Sequence, residues 1–432
     1  MQKLQVGFGR EATMPDTIMP LGGVGLAGRE YTGIIDELYI TCIALTDEAG
    51  QTVLLFTHDA LKSEAYVTPM RQAISEVTGV PFDHIMWAST HTHAAPAIYY
   101  DKIEGVFAYR EKTLNAAITA AKTALADRCP ADVSCGSFDG TGLAFCRHYV
   151  MPDGTVKKTP GTKAGPVAHA DPADDQGQLI RFARENRPDI LMVGFNVHPC
   201  KHGQYKQTKI SSDMVGAVRR SLESKEDVLV AYFTGAAGNQ TTNSQLPGGE
   251  NSECELYGEK LGQRILSAAL QPVTTSPLAI CTQPFTGKSN KARVELIDAA
   301  NQIADIHHIH GETEEVKALL KQYGIATPWE AYAIRVRHSM PQELTIPLSA
   351  LRLGDITFVF APFEMFGAHG MYIKKNTPGA MTFVVSCANE SHNYVPTDHA
   401  YDYDVYEKQV TRFARGTGEA CAEKLVEMAK SL

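Results

Sequence analysis

Two histidines stand two residues apart in "STHTHAAPA" (residues 89–97), directly after the strand-like run "HIMWA". Imidazole is a common zinc ligand and a general base, but also an ordinary polar group that can close a strand. Three other strand-like runs end in comparable chemistry: "LMVGFNV" leads into "HPCKHG" with His198 and His202, "VLVAYF" into "TGAAGNQTTN", and "ITFVF" into "APFE" with Glu364. Ligands of open α/β sheets gather at the carboxyl ends of strands, so one pocket could collect all four segments. In an extended chain alternate residues point the same way, which would turn His91 and His93 to one side, one for a metal and the other for substrate.

Imidazole and carboxylate donors drawn from three strand ends suit Zn2+, whose catalytic sites keep one position for water. The ion lowers the pKa of that water to about 7, supplying hydroxide at neutral pH, and polarises a bound carbonyl; hydrolysis of an amide or ester would follow. The glycine-rich "TGAAGNQ" has neither the G-x-x-x-x-G-K-[ST] nor the G-x-G-x-x-G pattern of nucleotide-binding folds. Its use would be close backbone approach to the pocket, with N–H groups around Gly238 and Asn239 aimed at an oxyanion. "DIHHIHGE" (His307, His308, His310) competes as a metal site, but it lies in a polar segment before a helix and reads as a surface histidine tract.

The elements that must position these groups alternate between strand and helix patterns. Residues 38–57 read as a β-hairpin reversing at Gly50. Helical stretches come at 103–127, from about Ser212, at 252–269, from Glu364 to Lys374, and at 404–430. This alternation predicts an α/β protein of mixed β-sheets flanked by helices, one large catalytic domain over 1–432 with possible lobes at 1–270 and 271–432. The Gly- and Pro-punctuated segment 141–176 reads as a long loop or lid, and 271–290 as a weak join. Asp213 in "SSDMVG" is placed to cap the helix it precedes, and Asp59 after "LLFTH" to orient a ligand histidine.

Composition narrows the partners. A net charge of −9 without a dense basic cluster argues against nucleic acid. No run approaches the roughly 18 apolar residues of a membrane span, and the N-terminus lacks the apolar stretch of a signal peptide. A cytoplasmic protein without stable membrane insertion is expected. The nine cysteines include no C-x-x-C, so they read as reduced thiols.

Taken together, "VGFGREATMP", "STHTHAAP", "NVHP" followed by "SSD", "GAAGNQ", "PFE" and the late "NYVPT…YDVYE" resemble the catalytic domain of the neutral/alkaline (non-lysosomal) ceramidases. Their order and spacing carry the resemblance across nearly the whole chain. It implies a zinc-dependent amidohydrolase in which His91, His198, Glu364 and Tyr394 hold Zn2+. His93 and Arg147 would stabilise the tetrahedral oxyanion, and Tyr406 would position substrate or leaving group. A phenolate is an uncommon ligand, yet its charge is favoured beside a cation. Arg147 cannot serve as a base at neutral pH but can stabilise an oxyanion.

The chain also departs from that family. Where ceramidases have a serine in a G-D-x-S-P-like segment, it reads "GNQTTN", which puts Thr241 nearby and favours zinc-bound hydroxide over a serine mechanism. Neither the additional C-terminal domain nor an export signal has a counterpart, which shifts the expected substrate from ceramide to a small, fairly polar amide or ester. The segments "AIYYDKIEGVF" and "GQYKQTK" beside the pocket mix aromatic and polar residues and fit either. Two alternatives remain: a metal-assisted lyase or other carbonyl chemistry on the same site, and a zinc-dependent binding protein that does not turn its ligand over. Oligomeric state is left open, a homo-oligomer included.

Overall fold

The structure is a computed structural model and describes residues 3–23, 29–158, 165–202 and 208–432. Residues 159–164 of the expected loop and 203–207 of "GQYKQTK" lie outside the described residues. The first sheet has nine strands. Strands β1 (Gln5–Ala12), β2 (Tyr39–Thr46), β3 (Thr52–His58), β4 (Ile85–Ser89), β5 (Cys129–Asp139), β6 (Gln176–Arg184), β7 (Asp189–Phe195) and β8 (Val228–Thr234) take the order β8-β7-β6-β5-β1-β2-β3-β4. Gln271–Pro272 adds a ninth strand on β5. The β2–β3 hairpin closes through Gly50 at φ 83°, where a glycine meets no steric cost.

β4 is buried along its whole length, and β3 everywhere after Thr52, because both faces of the sheet are covered. Helices α1 (Val67–Thr78) and α2 (Val106–Ala126) cover one face. α2 approaches β1 closely: a Cβ on Gly9 would fall 2.1 Å from Ala120 O, and one on Gly7 1.9 Å from Ala124 O. Glycine on the strand and the buried stripe Ala117, Ala120, Ala121 and Ala124 on the helix make that approach sterically feasible. Helices α3 (Asp213–Glu223) and α4 (Cys254–Leu266) pack on β7 and β8.

The second sheet contains β9 (Leu278–Lys288), β10 (Glu343–Leu353), β11 (Ile356–Phe360) and β12 (Met381–Val385) in that order. The weak join expected at 271–290 is therefore largely a strand, paired with β10 over all 11 residues of β9. It reads as polar because much of β9 is exposed or half-buried. Between β9 and β10 the chain leaves the sheet for α5 (Ile297–His310), α6 (Glu314–Tyr323) and α7 (Pro328–Ser339), which share a small core of their own. Buried Arg337 ties α7 down by donating to Thr411 O at 2.9 Å and Gln409 O at 2.6 Å.

Helix α8 (Gly367–Asn376) comes after Glu364, which itself lies in a two-residue strand rather than in the expected helix. The expected C-terminal helix is split into α9 (Tyr406–Val410) and α10 (Thr417–Ser431). Thr411 breaks it by donating its hydroxyl to Tyr394 O, and Gly416 turns the chain at φ 85°. Segment 141–176 is not featureless either: it carries short strands at Phe145–Cys146, Tyr149–Val150, Val156–Lys157 and Ala168–His169. Among the described residues no helix is long and apolar enough to cross a membrane.

Both sheets contribute to one buried cluster, in which Leu351, Phe358 and Phe383 join Ile43, Met86 and Met192. Within these two sheets the pairs β3–β4, β7–β8 and β11–β12 run parallel. Their carboxyl ends meet: Ser89 N donates to Cys387 O, Ser386 N to Thr234 O, and Thr234 Oγ1 to Thr90 O at 2.6 Å.

His58, at the end of β3, is wholly buried edge-on to Trp87, with neither ring nitrogen hydrogen-bonded. Burial pushes its pKa down to about 3, whereas an unfolded histidine titrates near 6.5. Between those values the unfolded state binds the extra proton. Stability should therefore fall as pH drops below about 6.5, by up to about 1.4 kcal/mol per pH unit from this residue. His58→Leu is expected to flatten that slope in urea titrations at pH 7 and pH 5; an unchanged slope would assign it to other groups.

Candidate metal centre

β4 ends at Ser89, and the chain beyond it does not stay extended. His91 adopts φ 69°, a left-handed conformation uncommon outside glycine, so the alternation expected of a strand stops there. The turn nevertheless gathers the rings, with centroids 5.0 Å apart for His91 and His93 and 4.7 Å for His91 and His198. His91 Nδ1 donates to Leu61 O and His198 Nδ1 to Ala237 O, each at 2.7 Å. Such backbone partners fix a ring's orientation and leave Nε2 to face the site. Both Nε2 atoms approach Glu364 Oε2, at 3.2 and 3.3 Å.

Neither approach has hydrogen-bond geometry. Nε2 of His91, His93 and His198, together with Glu364 Oε2, are buried polar atoms without a hydrogen-bond partner. An unsatisfied buried polar group costs about 1–3 kcal/mol, so those of His91, His198 and Glu364 need a common partner, with His93 Nε2 free beside them. Donor atoms of the three histidines lie within 4.8 Å of one another. A nitrogen-rich set with one carboxylate oxygen fits a zinc ion.

Glu364 and Tyr394 are neighbours across a short parallel pairing of Glu364–Met365 with Tyr394–Val395. Tyr394 is 5% exposed and stacks near His198, and its hydroxyl accepts from Arg147 Nη2 at 3.2 Å. Arg147 is held from behind: Glu407 Oε1 takes its Nε at 2.7 Å and its Nη2 at 2.6 Å. The other oxygen of Glu407 takes His148 Nε2 at 2.8 Å. Tyr406 sets its ring edge-on to Tyr394 and under Lys158 Nζ, 4.1 Å from the ring centroid.

Burial pushes His198 down to about 3, with Arg147 adding to the effect. His93 is also driven well below the ordinary histidine value, by burial and then by His91. Both are neutral at pH 7. His91 behaves differently: burial opposes its charge, but Cys387 and Glu364 raise it to about 10. Burial likewise opposes ionisation of Glu364, yet His91 and His198 hold its carboxyl well below the usual range. The carboxylate is thus balanced by a proton on an imidazole, a charge that a metal cation can replace.

These groups open into a cavity of about 750 Å³. Its lining includes the aromatic Tyr99, Trp329 and Tyr332, and it carries Lys62, Arg147, Lys158 and Arg412 against Glu312 and Glu364. Burial, helped by Arg147, pushes Lys158 down to about 8. The histidine tract does precede a helix, α6, but it is not a free segment: it forms the last turn of α5. His307 is buried against Trp329 and Tyr332 and lines the cavity with His308, while His308 and His310 are exposed, as a surface tract requires.

Gly238, Asn239 and Thr241 do not line this cavity. A Cβ on Gly238 would fall 2.4 Å from Glu364 O, and its N–H is spent on Met365 O, so the close approach is to the Glu364 strand rather than to a ligand. Asn239 Oδ1 accepts from Gly367 N at 2.9 Å, and Thr241 pairs with Phe145. Asp59 reaches no histidine; it binds Arg219 at 2.6 and 3.1 Å and takes the Thr90 hydroxyl at 3.2 Å, fixing the chain just before His91. Asp213 accepts from the backbone of Met214, Lys201 and His202, tying the start of α3 to the segment after His198.

Glu407, His148 and Lys158 are site groups that the motifs did not single out. Glu407 comes directly after Tyr406, and the only sequence sign of its role is an acidic side chain at the start of a helix. Gly23 is another: at φ 100°, a Cβ there would fall 2.4 Å from His93 Nδ1. Gly23→Ala is expected to displace the His93 ring and lower kcat by up to about 100-fold with metal content unchanged. An unaltered kcat would take His93 out of the reaction.

No protein-family model and no curated protein matches the sequence. Solved structures do. A neutral ceramidase from Pseudomonas aeruginosa superimposes with a TM-score of 0.71 at 17% identity, over 99% of this chain and 74% of that one. A structure described as "Ceramidase complexed with C2" gives 0.72 at 17% identity, over 99% and 75%. Over nearly its whole length, then, this chain has the fold of the ceramidases that its motifs resemble.

Proposed function

We propose that the chain is a zinc-dependent hydrolase, an amidohydrolase acting on an amide or ester bond of a small polar molecule. Its metal ligands are His91, His198, Glu364 and Tyr394. The observation that carries this reading is the convergence of unpaired buried donor atoms from three strand ends on one point of a large cavity. A zinc ion supplies Lewis acidity toward a carbonyl and lowers the pKa of a water to about 7.

The chain's own groups do the rest. Arg147, clamped by Glu407 and permanently charged, presents Nη2 beside Tyr394 and stabilises the oxyanion that forms when the carbonyl is attacked. His93, neutral with Nε2 unpaired, accepts a proton from the attacking water and returns it to the leaving group. Tyr406 keeps its proton, because burial and Glu364 raise its pKa, and it positions substrate as a hydrogen-bond donor. Gly238, Asn239 and Thr241 hold the ligand segments in place.

The four cationic side chains on the cavity wall support a substrate with polar or anionic groups over one with two long hydrocarbon chains. The same reading takes 1–432 as one catalytic domain, supported by the buried cluster shared between the sheets. A cytoplasmic setting is supported by the free thiol state of all nine cysteines.

The test is turnover of an amide and ester panel by zinc-loaded protein in 18O-labelled water, with His91→Ala alongside. Hydrolysis puts the label in the acid product, and His91→Ala loses both zinc and turnover. Product without label would mean elimination, and a tightly held but unchanged ligand would mean a binding protein.

A further inference from the structure

A second group of metal-ligating side chains lies behind the cavity wall. Cys146, His148 and Asp171 each offer a donor atom, and these atoms lie within 4.8 Å of one another. Arg147 lines the cavity while its neighbours Cys146 and His148 do not. Cys146 is 1% exposed and His148 is fully buried. Glu407 takes His148 Nε2, and His148 Nδ1 is buried with no hydrogen-bond partner. A carboxylate on one imidazole nitrogen fixes the tautomer that leaves the other nitrogen a free lone pair, which is how metal-binding histidines are prepared.

The sulfur is placed as well. Cys146 Sγ accepts from His148 N at 3.5 Å and from Asn239 Nδ2 at 3.8 Å, and as a thiol it donates to Asp171 Oδ2 at 4.0 Å; burial keeps it protonated, so its ionisation waits on the cation. Asp171 Oδ1 is oriented by His399 Nε2 at 2.8 Å. The nearby cations are already engaged: Arg147 on Glu407, and Lys158 over the Tyr406 ring. The hydrolytic steps proposed above use neither Cys146 nor Asp171.

We propose that Cys146, His148 and Asp171 form a second zinc site, which clasps Cys146 and His148 to Asp171 and fixes Glu407 behind Arg147. Thiolate, imidazole and carboxylate donors select zinc over magnesium or calcium, and the fourth position falls to water. Binding is a ligand exchange without redox change: the Cys146 S–H bond breaks, the proton passes to solvent, and a zinc–sulfur bond forms. The three ligands are positioning residues. They act on the reaction only through Glu407 and Arg147.

The test uses the full chain, stripped of metal and reloaded with Co2+. A thiolate on Co2+ gives sulfur-to-metal charge-transfer absorption in the near ultraviolet, which the nitrogen and oxygen donors of the His91 site cannot give. The expected wild type shows that band with about two Co2+ per chain, and His91→Ala keeps the band with about one. Cys146→Ser loses the band and keeps about one Co2+. Should Cys146→Ser not fold, Asp171→Asn serves in its place and is expected to weaken Co2+ binding read at that band at least ~10-fold. A wild type without the band, or a Cys146→Ser chain that retains it, overturns the second site whatever happens at the first. Failure of His91→Ala to lose metal would strike the hydrolase reading alone.

Discussion

In Glu364→Gln, bound zinc and turnover are expected to fall together. The substitution keeps side-chain volume and leaves the pairing with Tyr394 intact, because that pairing is made by backbone. What it removes is the negative charge that both His91 and His198 face. Losing only the hydrogen-bond partner of a metal ligand typically weakens metal binding about 10- to 100-fold. Neutralising a ligand itself should exceed ~100-fold, measured by competition with a chelator, and kcat/KM at limiting zinc should drop in parallel. A folded Glu364→Gln chain that retained one tightly bound zinc and wild-type turnover would remove Glu364 from the metal set.

The other large effect is expected at Glu407, which is fully buried and neutralises Arg147 on one oxygen while holding His148 on the other. Burial opposes its ionisation, but Arg147 and His148 overrule that and hold the carboxyl well below its ordinary value. Glu407→Ala would leave a guanidinium buried without a counter-charge, a defect worth about 3–5 kcal/mol of stability. It should also free Arg147 to turn, with a loss in kcat of about 10²–10³, the scale of deleting one oxyanion donor. Urea melts and kinetics at saturating zinc measure the two effects separately. If Glu407→Ala melted like the wild type, Arg147 would have to be finding another carboxylate, and its placement here would be wrong.

Strand ends were the part of this molecule that sequence could disclose. Each of the hydrophobic runs before His91, His198 and Glu364 is a strand buried on both faces, so its composition announces it, and the residues just beyond it must lie at an edge of the sheet. How the ends meet was less visible. His91 faces its partners through a left-handed turn rather than through strand alternation, and periodicity carries no sign of such a turn. The glycine of "TGAAGNQ" was legible as a point of close approach, but not what approaches: Gly238 admits the backbone of Glu364, a residue far along the chain. Glu407 was hidden because a buried acid at the start of a short helix looks like an exposed one; only its distances to Arg147 and His148 distinguish them. His307 was hidden for a related reason: its tract is polar and exposed at His308 and His310, but it ends a helix whose last turn sets His307 against Trp329.

The three helices between β9 and β10 have a consequence of their own. Lys288 and Glu343 are direct partners in the sheet, so everything between them is, topologically, the tip of one hairpin. Ends held that firmly make the intervening length cheap to change, since closure entropy grows only with the logarithm of loop size. The helices have a core of their own, and α7 also supplies Trp329 and Tyr332 to the cavity wall, while His91, His198 and Glu364 hang from strands that the hairpin tip does not interrupt. α7 is bound to the site, through Arg337 and through the packing of Ala333 and Trp329 with Tyr394 and Tyr406, so the replaceable module is the outer pair α5 and α6. Relatives could exchange it, shorten it or redecorate it and so change what enters the cavity, while inheriting the donor-bearing strands unaltered.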